Sequence, residues 1–426
     1  MPQLDRGQGP GVRLISRLGA SWLVQGLLAF GLIWLGWSFY ANAQANLARL
    51  GTVSGFGFLD QPAGFSVSMS LIGQTDGLSY GQVFIIGLLN TLLVAVCAIV
   101  LATVLGFTMG VARLSGNVVI RILASAYVEV TRNLPPLFQI LFWYLAVLTT
   151  LPGPRQSWSF GLSTLFNMMS RSLEAVGLSG ATSRLAIWAG ESGAPGIFLN
   201  NRGLVVPRPV PGEGAGAVVL ALLLAIALCL CLWFWSRQHG ERTGQGHAIW
   251  PLILALLVGL PWLVAALTGF SVELEKPVLR GFNFSGGLTL MPEFMALLLA
   301  LSIYTAGYIA EIVRAGILSV PKGQVEAARA LGLSSRKILR KVVLPQAMRV
   351  IVPPLTSQYV NIAKNSTLGV AIGYPDLLGL FGGTVLERTG LAIEIISMIM
   401  AVYLAISLFM ALVMNLYARR IALVER

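Results

Sequence analysis

RAGILSVPKGQVEAARALGLSSRKILRKVVLPQAMR, residues 314–349, is the stretch whose reading decides the fold. Long apolar runs flank it, and it carries eight basic residues against one acid, Glu326. Gln324 to Leu331 reads as a short helix with small residues on one face. There Ala327, Ala328 and Ala330 allow a partner surface to approach closely. Gly332 ends that helix, as a C-terminal glycine should. Ser334 or Ser335 can cap the next short helix, and Pro345 suits the first turn of the membrane helix that follows. The prediction is a helix–turn–helix at the membrane face, shaped to dock into a partner's groove. Glu326 is then the only carboxylate available to pair across such an interface.

Composition agrees with a membrane setting. The 426 residues are 56% hydrophobic and 11% charged, against about 25% charged in ordinary soluble domains. Such a chain cannot cover a water-facing surface with charge, and it is too apolar to be disordered. The mean hydropathy of +0.79 points the same way. The net charge of +12 and pI near 10.1 suggest nucleic acid, but most Lys and Arg sit in short loops beside apolar runs. That placement is the footprint of membrane orientation, so no nucleic-acid partner is expected. Cys97, Cys229 and Cys231 all lie in apolar stretches, and His239 and His247 share one short polar loop. Neither a disulfide framework nor a metal site is expected from that pattern.

The fold class read from the sequence is all-α, a polytopic bundle of about eight transmembrane helices. They fall near 17–40, 83–112, 121–149, 215–236, 249–268, 289–314, 346–369 and 391–418. Each is long enough for a core of roughly 30 Å at about 1.5 Å per residue. With both termini inside, the inner segments hold 18 Lys and Arg and the longer outer segments nine. Both termini are therefore expected in the cytoplasm. The first helix ends in Ala41-Asn42-Ala43, a small-residue pattern, yet its apolar run exceeds a signal core and is read as retained. Residues 41–82 are read as a partly ordered outer cap, and the Pro/Gly run at 206–212 as a stiff connector.

The 314–349 stretch also carries a family resemblance. Glu326-Ala327-Ala328, three residues, Gly332, nine residues, Val342, one residue, then Leu344-Pro345 resembles the coupling-loop motif of permease subunits of bacterial ABC importers. The flanks are similar to the polar amino acid branch: Ala310 to Gly316, Ser319 to Gln324, Thr131 to Leu137, Lys364 to Leu368 and Ile372 to Asp376. The segment 151–284, with two extra helices, resembles the long, general L-amino acid type. The resemblance implies a type I importer permease fold. Residues 1–82 would be an N-terminal helix and periplasmic segment, 83–418 the permease domain with its 151–284 insert and 315–345 coupling loop, and 419–426 a cytoplasmic tail. It also implies a multi-pass protein of the bacterial inner membrane. The expected partners are an ABC ATPase dimer, a second permease subunit of related sequence, and a periplasmic amino-acid-binding protein. ATP and magnesium would sit on the ATPase, with no cofactor on this chain. No G-x-x-x-x-G-K-[ST] run occurs that could cradle phosphates, so an enzyme is not expected.

Polar residues inside apolar runs complete the reading, because buried charge in lipid is costly and faces bundle interiors. Glu129 and Arg132 are three apart on one helix face, placed to pair, with Asn133 and Pro135-Pro136 following. Asn361, Lys364 and Asn365 share a face of the seventh helix beside Ser366, beyond a kink at Pro353-Pro354. An amino acid needs donors for its carboxylate, so Arg132, Asn133, Lys364, Asn365 and Ser366 are candidates for the substrate path, with Glu129 a further one. The opposing reading is a structural polar network. Glu311 and Arg314 are expected to pair at the start of the loop, Gly106 and Gly110 to form a packing face, and Trp34, Trp37, Trp143 and Tyr144 to anchor at the interfaces. An ion-coupled secondary amino acid transporter is the alternative function. It would need membrane carboxylates, and Glu129 is nearly alone at that depth.

Overall fold

The computed structural model describes residues 10–49, 55–73, 75–161, 196–243 and 249–421. The helices are α1 (Pro10–Arg49), α2 (Tyr80–Ala112), α3 (Val118–Asn133), α4 (Pro136–Leu141), α5 (Ala215–Thr243), α6 (Trp250–Thr268), α7 (Pro292–Leu318), α8 (Lys322–Ala330), α9 (Ser335–Ile338), α10 (Leu344–Asn365), α11 (Leu386–Thr389) and α12 (Ala392–Ile421). All eight apolar runs are helical. Six helices among the described residues are long and apolar enough to cross a membrane: parts of α1, α5 and α12, and the whole of α2, α6 and α7. The other two runs differ for a physical reason, since each carries the polar groups that a simple lipid-facing span excludes.

The run expected at 121–149 is broken. Helix α3 stops at Asn133, Leu134 and Pro135 are extended, and α4 restarts at Pro136 before a wider-wound turn over Phe142–Leu148. Proline removes a helical donor, and the side chain of Gln139 supplies donors instead. Its Nε2 donates to the carbonyls of Thr131 at 2.9 Å and Leu134 at 3.1 Å. The run at 346–369 becomes α10 followed by a tight turn over Ser366–Ile372. Helix α10 stays helical through Pro353 and Pro354, where a kink is expected, and the α-helical path ends after Asn365.

Among the described residues three small antiparallel sheets accompany the helices, all from residues 158–290. Strands β1 (Trp158–Gly161), β2 (Gly196–Asn200), β3 (Gly203–Val206) and β8 (Leu288–Leu290) form one sheet in that order. Strand β4 (Arg208–Pro211) pairs with β5 (Val272–Glu275), and β6 (Val278–Arg280) with β7 (Asn283–Ser285). The Pro/Gly connector expected at 206–212 is thus a β4 edge strand, where missing donors matter least. The part of the insert at 162–195, including Arg171 and Arg184, lies outside the described residues, as do Arg6, His247 and Arg426.

The chain divides into two compact units. One comprises residues 1–96 and 316–426, the other 97–315. In the first, the cap expected at 41–82 begins as the end of α1 and is described again from Gly55, apart from residue 74. Phe58, Ala63, Val67 and Leu78 pack with Val83 and Ile86 of α2, Phe381, Val385 and Ile395. In the second, α7 buries Leu297, Leu301, Ile309 and Val313 among alanines. A Cβ on Gly106 would meet Ile309 at 2.5 Å, and one on Gly110 the Ala310 carbonyl at 2.7 Å, so the small-residue face of α2 is a close helix contact.

Leucine at Gly106 is expected to destabilise this packing by about 1–3 kcal/mol through overpacking. Alanine at Gly259, where nothing lies within 4 Å, should leave stability unchanged or raise it slightly. Thermal unfolding in detergent separates the two. Equal midpoints for both variants would contradict the contact.

Candidate functional site

The helix–turn–helix at 315–345 forms as the residues dictate. Helix α8 ends where Leu331 N donates to the Ala327 carbonyl, Gly332 N to Arg329 and Leu333 N to Ala328, at 2.9–3.2 Å. Gly332 sits at φ 75, a left-handed conformation that disfavours side chains, so this turn requires glycine. Ser334 occupies the N-cap of α9 by backbone geometry, but its hydroxyl makes no capping bond. Pro345 takes the first turn of α10 as expected. A side-chain clamp fixes the elbow to that helix. Gln346 Nε2 donates to Gln324 Oε1 at 2.5 Å and to the Val342 carbonyl at 3.0 Å.

The surface that the elbow offers differs in one residue from the expected small face. Ala328 is buried by this chain's own atoms at 5% exposure, because its side of α8 packs inward. The open side presents Glu326, Ala327 and Ala330. Leu331 stands beyond them at 80% exposure, an apolar knob that the sequence reading passed over. Leu344 and Pro345 are exposed as well, and Arg329, Arg336, Lys337, Arg340 and Lys341 surround the patch.

Just before the elbow, Glu311 of α7 joins two arginines. Arg314 Nη2 donates to Glu311 Oε1 at 2.5 Å, the pair expected from spacing. The Arg113 guanidinium, from the end of α2, binds Glu311 Oε2. A carboxylate held by charge-assisted bonds from two elements fixes their relative position better than either bond alone. Spacing alone could not show Arg113, which lies 198 residues away.

The expected path residues fall on α3, on α10 and at the turn after it. On α3, Glu129, Arg132 and Asn133 are exposed, and Arg132 does not pair with Glu129. Its guanidinium lies 5.2 Å from the Tyr308 ring centroid, a cation–π contact. On α10, Lys364 is exposed, Asn365 half-buried, and Ser366 buried with its hydroxyl donating to the Ala363 carbonyl at 2.8 Å. Arg132 and Lys364 belong to different units. A cavity of about 360 Å³ beside α3 is lined by Thr131, Phe138, Gln139 and Trp143. Another of about 290 Å³ is lined by Ser66, Ser68, Tyr374, Pro375 and Thr384. Neither includes the six expected residues.

A buried polar cluster in the first unit was not singled out by its chemistry in the sequence. Asn90 Nδ2 donates to the carbonyls of Pro375 at 2.9 Å and Met69 at 3.0 Å. Tyr374 donates to the Asn90 carbonyl, and Leu377 N to Thr91 Oγ1. Asp376 is fully buried. Its Oδ1 accepts from Gly379 N at 2.7 Å, and Tyr403 donates to Oδ2 at 3.4 Å. These bonds hold the bend between Ile372 and Leu378 against α2, where Gly87 lets the Leu377 backbone approach.

Comparison with known proteins decides what this arrangement belongs to. Residues 286–423 match the family of binding-protein-dependent transport system inner membrane components. Over 408 residues, covering 95% of both chains, the sequence is 50% identical to the Escherichia coli (strain K12) permease protein YhdX, named for an amino-acid ABC transporter. The chain belongs to the amino-acid ABC transporter permease family. It is also 46% identical over 94% of its length, and 91% of the relative's, to AapQ of Rhizobium johnstonii, a general L-amino acid transport system permease protein. Against BztB of Rhodobacter capsulatus, a glutamate/glutamine/aspartate/asparagine transport system permease protein, identity is 38% over 94% of this chain and 92% of that one. The family places the protein in the inner membrane as a multi-pass transport component with the type I importer permease fold. The α5–α6 insert lies within the length shared with these three relatives.

Asp376 gives a stability test of the cluster. Asp376→Ala leaves Gly379 N and the Tyr403 hydroxyl without this acceptor and is expected to destabilise the fold by about 1–3 kcal/mol, read as a lower unfolding temperature in detergent. An unchanged midpoint would contradict the cluster.

Proposed function

We propose that this permease moves L-amino acids inward across the membrane, driven by a separate ABC ATPase dimer that docks on the elbow at 315–345. The observation that carries this reading is the exposed patch of Glu326, Ala327, Ala330 and Leu331, held rigid by the Gly332 turn and the Gln324–Gln346 clamp. A rigid small-faced helix with one protruding leucine suits insertion into a groove. Closure of the ATPase pair would push on α8 and, through the continuous α10, move the polar segment at Ser366–Asp376. Rigid-body motion of this kind is a common means of switching access.

The relatives' names support amino acids as cargo, and the family description supports delivery by a binding protein. In this reading ATP and magnesium sit on the ATPase, and this chain binds neither. The second membrane subunit is a related chain. In this reading both termini face the cytoplasm, which the excess of Lys and Arg in the inner segments supports, and the β-containing insert faces outward. Arg132, Asn133, Lys364, Asn365 and Ser366 stay candidates for the path, with Glu129 a further one. An ion-coupled secondary transporter would have no use for a basic docking elbow.

Glu326→Arg reverses the single negative charge of the patch. It is expected to abolish co-purification with the ATPase and ATP-dependent uptake in proteoliposomes, while the permease still inserts and folds. Retained assembly and uptake would contradict the docking site, and uptake driven by an ion gradient without any ATPase would favour the secondary transporter.

A further inference from the structure

The insert is the largest part of the molecule that transport chemistry leaves without a task. Three of its turns converge at one place: Gly153–Gln156, the β2–β3 turn at Asn201–Arg202, and the β6–β7 tip at Gly281–Phe282. The Arg155 guanidinium lies 4.1 Å from the Phe282 ring centroid, and its Nε donates to the Gly281 carbonyl at 3.3 Å. Arg202 Nη1 donates to Asn283 Oδ1 at 2.5 Å, and Asn201 N to the Pro152 carbonyl at 3.0 Å. Between these groups is an open hollow of about 200 Å³, lined by Gly153, Pro154, Arg155, Gln156, Arg202 and Phe282.

This hollow has the chemistry of a docking anchor. It contains two cations and no carboxylate, and among the described residues neither guanidinium is ion-paired. Arg155 is held by stacking and a backbone bond through Nε, which leaves both its Nη groups in a fixed fork. A preorganised fork loses little freedom on binding a carboxylate bidentately. Exposed aromatics accompany it: Phe282 is 71% exposed, and Trp158 and Phe160 of β1 are 54% and 50% exposed. Arginine with exposed aromatic rings is the composition of interface hot spots. The hollow is too open to enclose a free solute, and its two forks sit at fixed spacing. A fixed pattern of carboxylates, as a folded protein presents, matches that better than mobile lipid head groups.

We infer that the Arg155–Arg202–Phe282 hollow receives acidic side chains of the periplasmic binding protein and gives this insert-bearing permease a second point of attachment to its receptor. This rests on the outward orientation proposed above. The test uses the intact transporter in proteoliposomes with a substrate-loaded binding protein chosen because it stimulates wild-type ATP hydrolysis. For Arg155→Glu/Arg202→Glu, the binding-protein concentration giving half-maximal stimulation should rise about ten-fold or more, with basal and maximal hydrolysis unchanged. Arg202→Ala alone, which leaves Arg155 on Phe282, should raise it by about three-fold, and added salt should narrow both differences. Unchanged half-saturation in both variants overturns the inference. So does a shift that follows the anionic lipid content of the vesicles and not the binding protein, since the hollow would then be a lipid contact. Gln156→Cys labelled by an impermeant maleimide from the cytoplasmic side only would instead defeat the orientation, and a wild type that no binding protein stimulates would defeat the importer reading itself.

Discussion

In an apolar medium an unpaired backbone group costs several kcal/mol, so this chain can leave the helical path only where something nearby supplies the missing bonds. Its two departures show how. At Leu134-Pro135 the amide of Gln139 donates to the Thr131 carbonyl, which loses its helical donor to Pro135, and to the Leu134 carbonyl. At Ile372–Leu378 the side chains of Asn90, Thr91 and Asp376 complete the bend. The first break closely follows Arg132 on α3, and the second comes after α10, which carries Lys364. The exposed spans of α5 (Ala215–Trp233) and α6, by contrast, carry no charged residue and stay helical throughout.

The elbow obeys the same constraint at the membrane surface, where water can satisfy what the helix does not. Rigidity there comes from local bonds: the paired carbonyl contacts at Gly332, the Gln324–Gln346 clamp, and the Glu311 carboxylate shared by Arg113 and Arg314 immediately upstream. A stiff elbow transmits displacement, whereas a flexible one would absorb it. Leu331, Ala327 and Glu326 give that elbow an apolar knob, a close-approach surface and one charge.

Much of this was legible in the sequence because it is local. Apolar runs announced the eight helical segments, and Glu326, Gly332 and Pro345 announced the elbow by spacing. What escaped depends on residues far apart. Arg113 meets Glu311 across 198 residues, and Asn90 meets Pro375 across 285. Ala328 turned inward because tertiary packing, not helix spacing, chooses the buried face. Arg132 left Glu129 for the ring of Tyr308, a partner from another helix. The small sheets were invisible because strands of three to five residues show too little alternation to be recognised.

The most direct test of force transfer through the elbow is a cysteine at Leu331, the most exposed large apolar residue there, in the assembled transporter. Its cross-linking to the ATPase should be strong and should change with nucleotide state, while a cysteine at Thr384, in the segment read as facing outward, should give none. A fully assembled, ATP-hydrolysing transporter in which position 331 never cross-links to the ATPase in any nucleotide state would contradict the account.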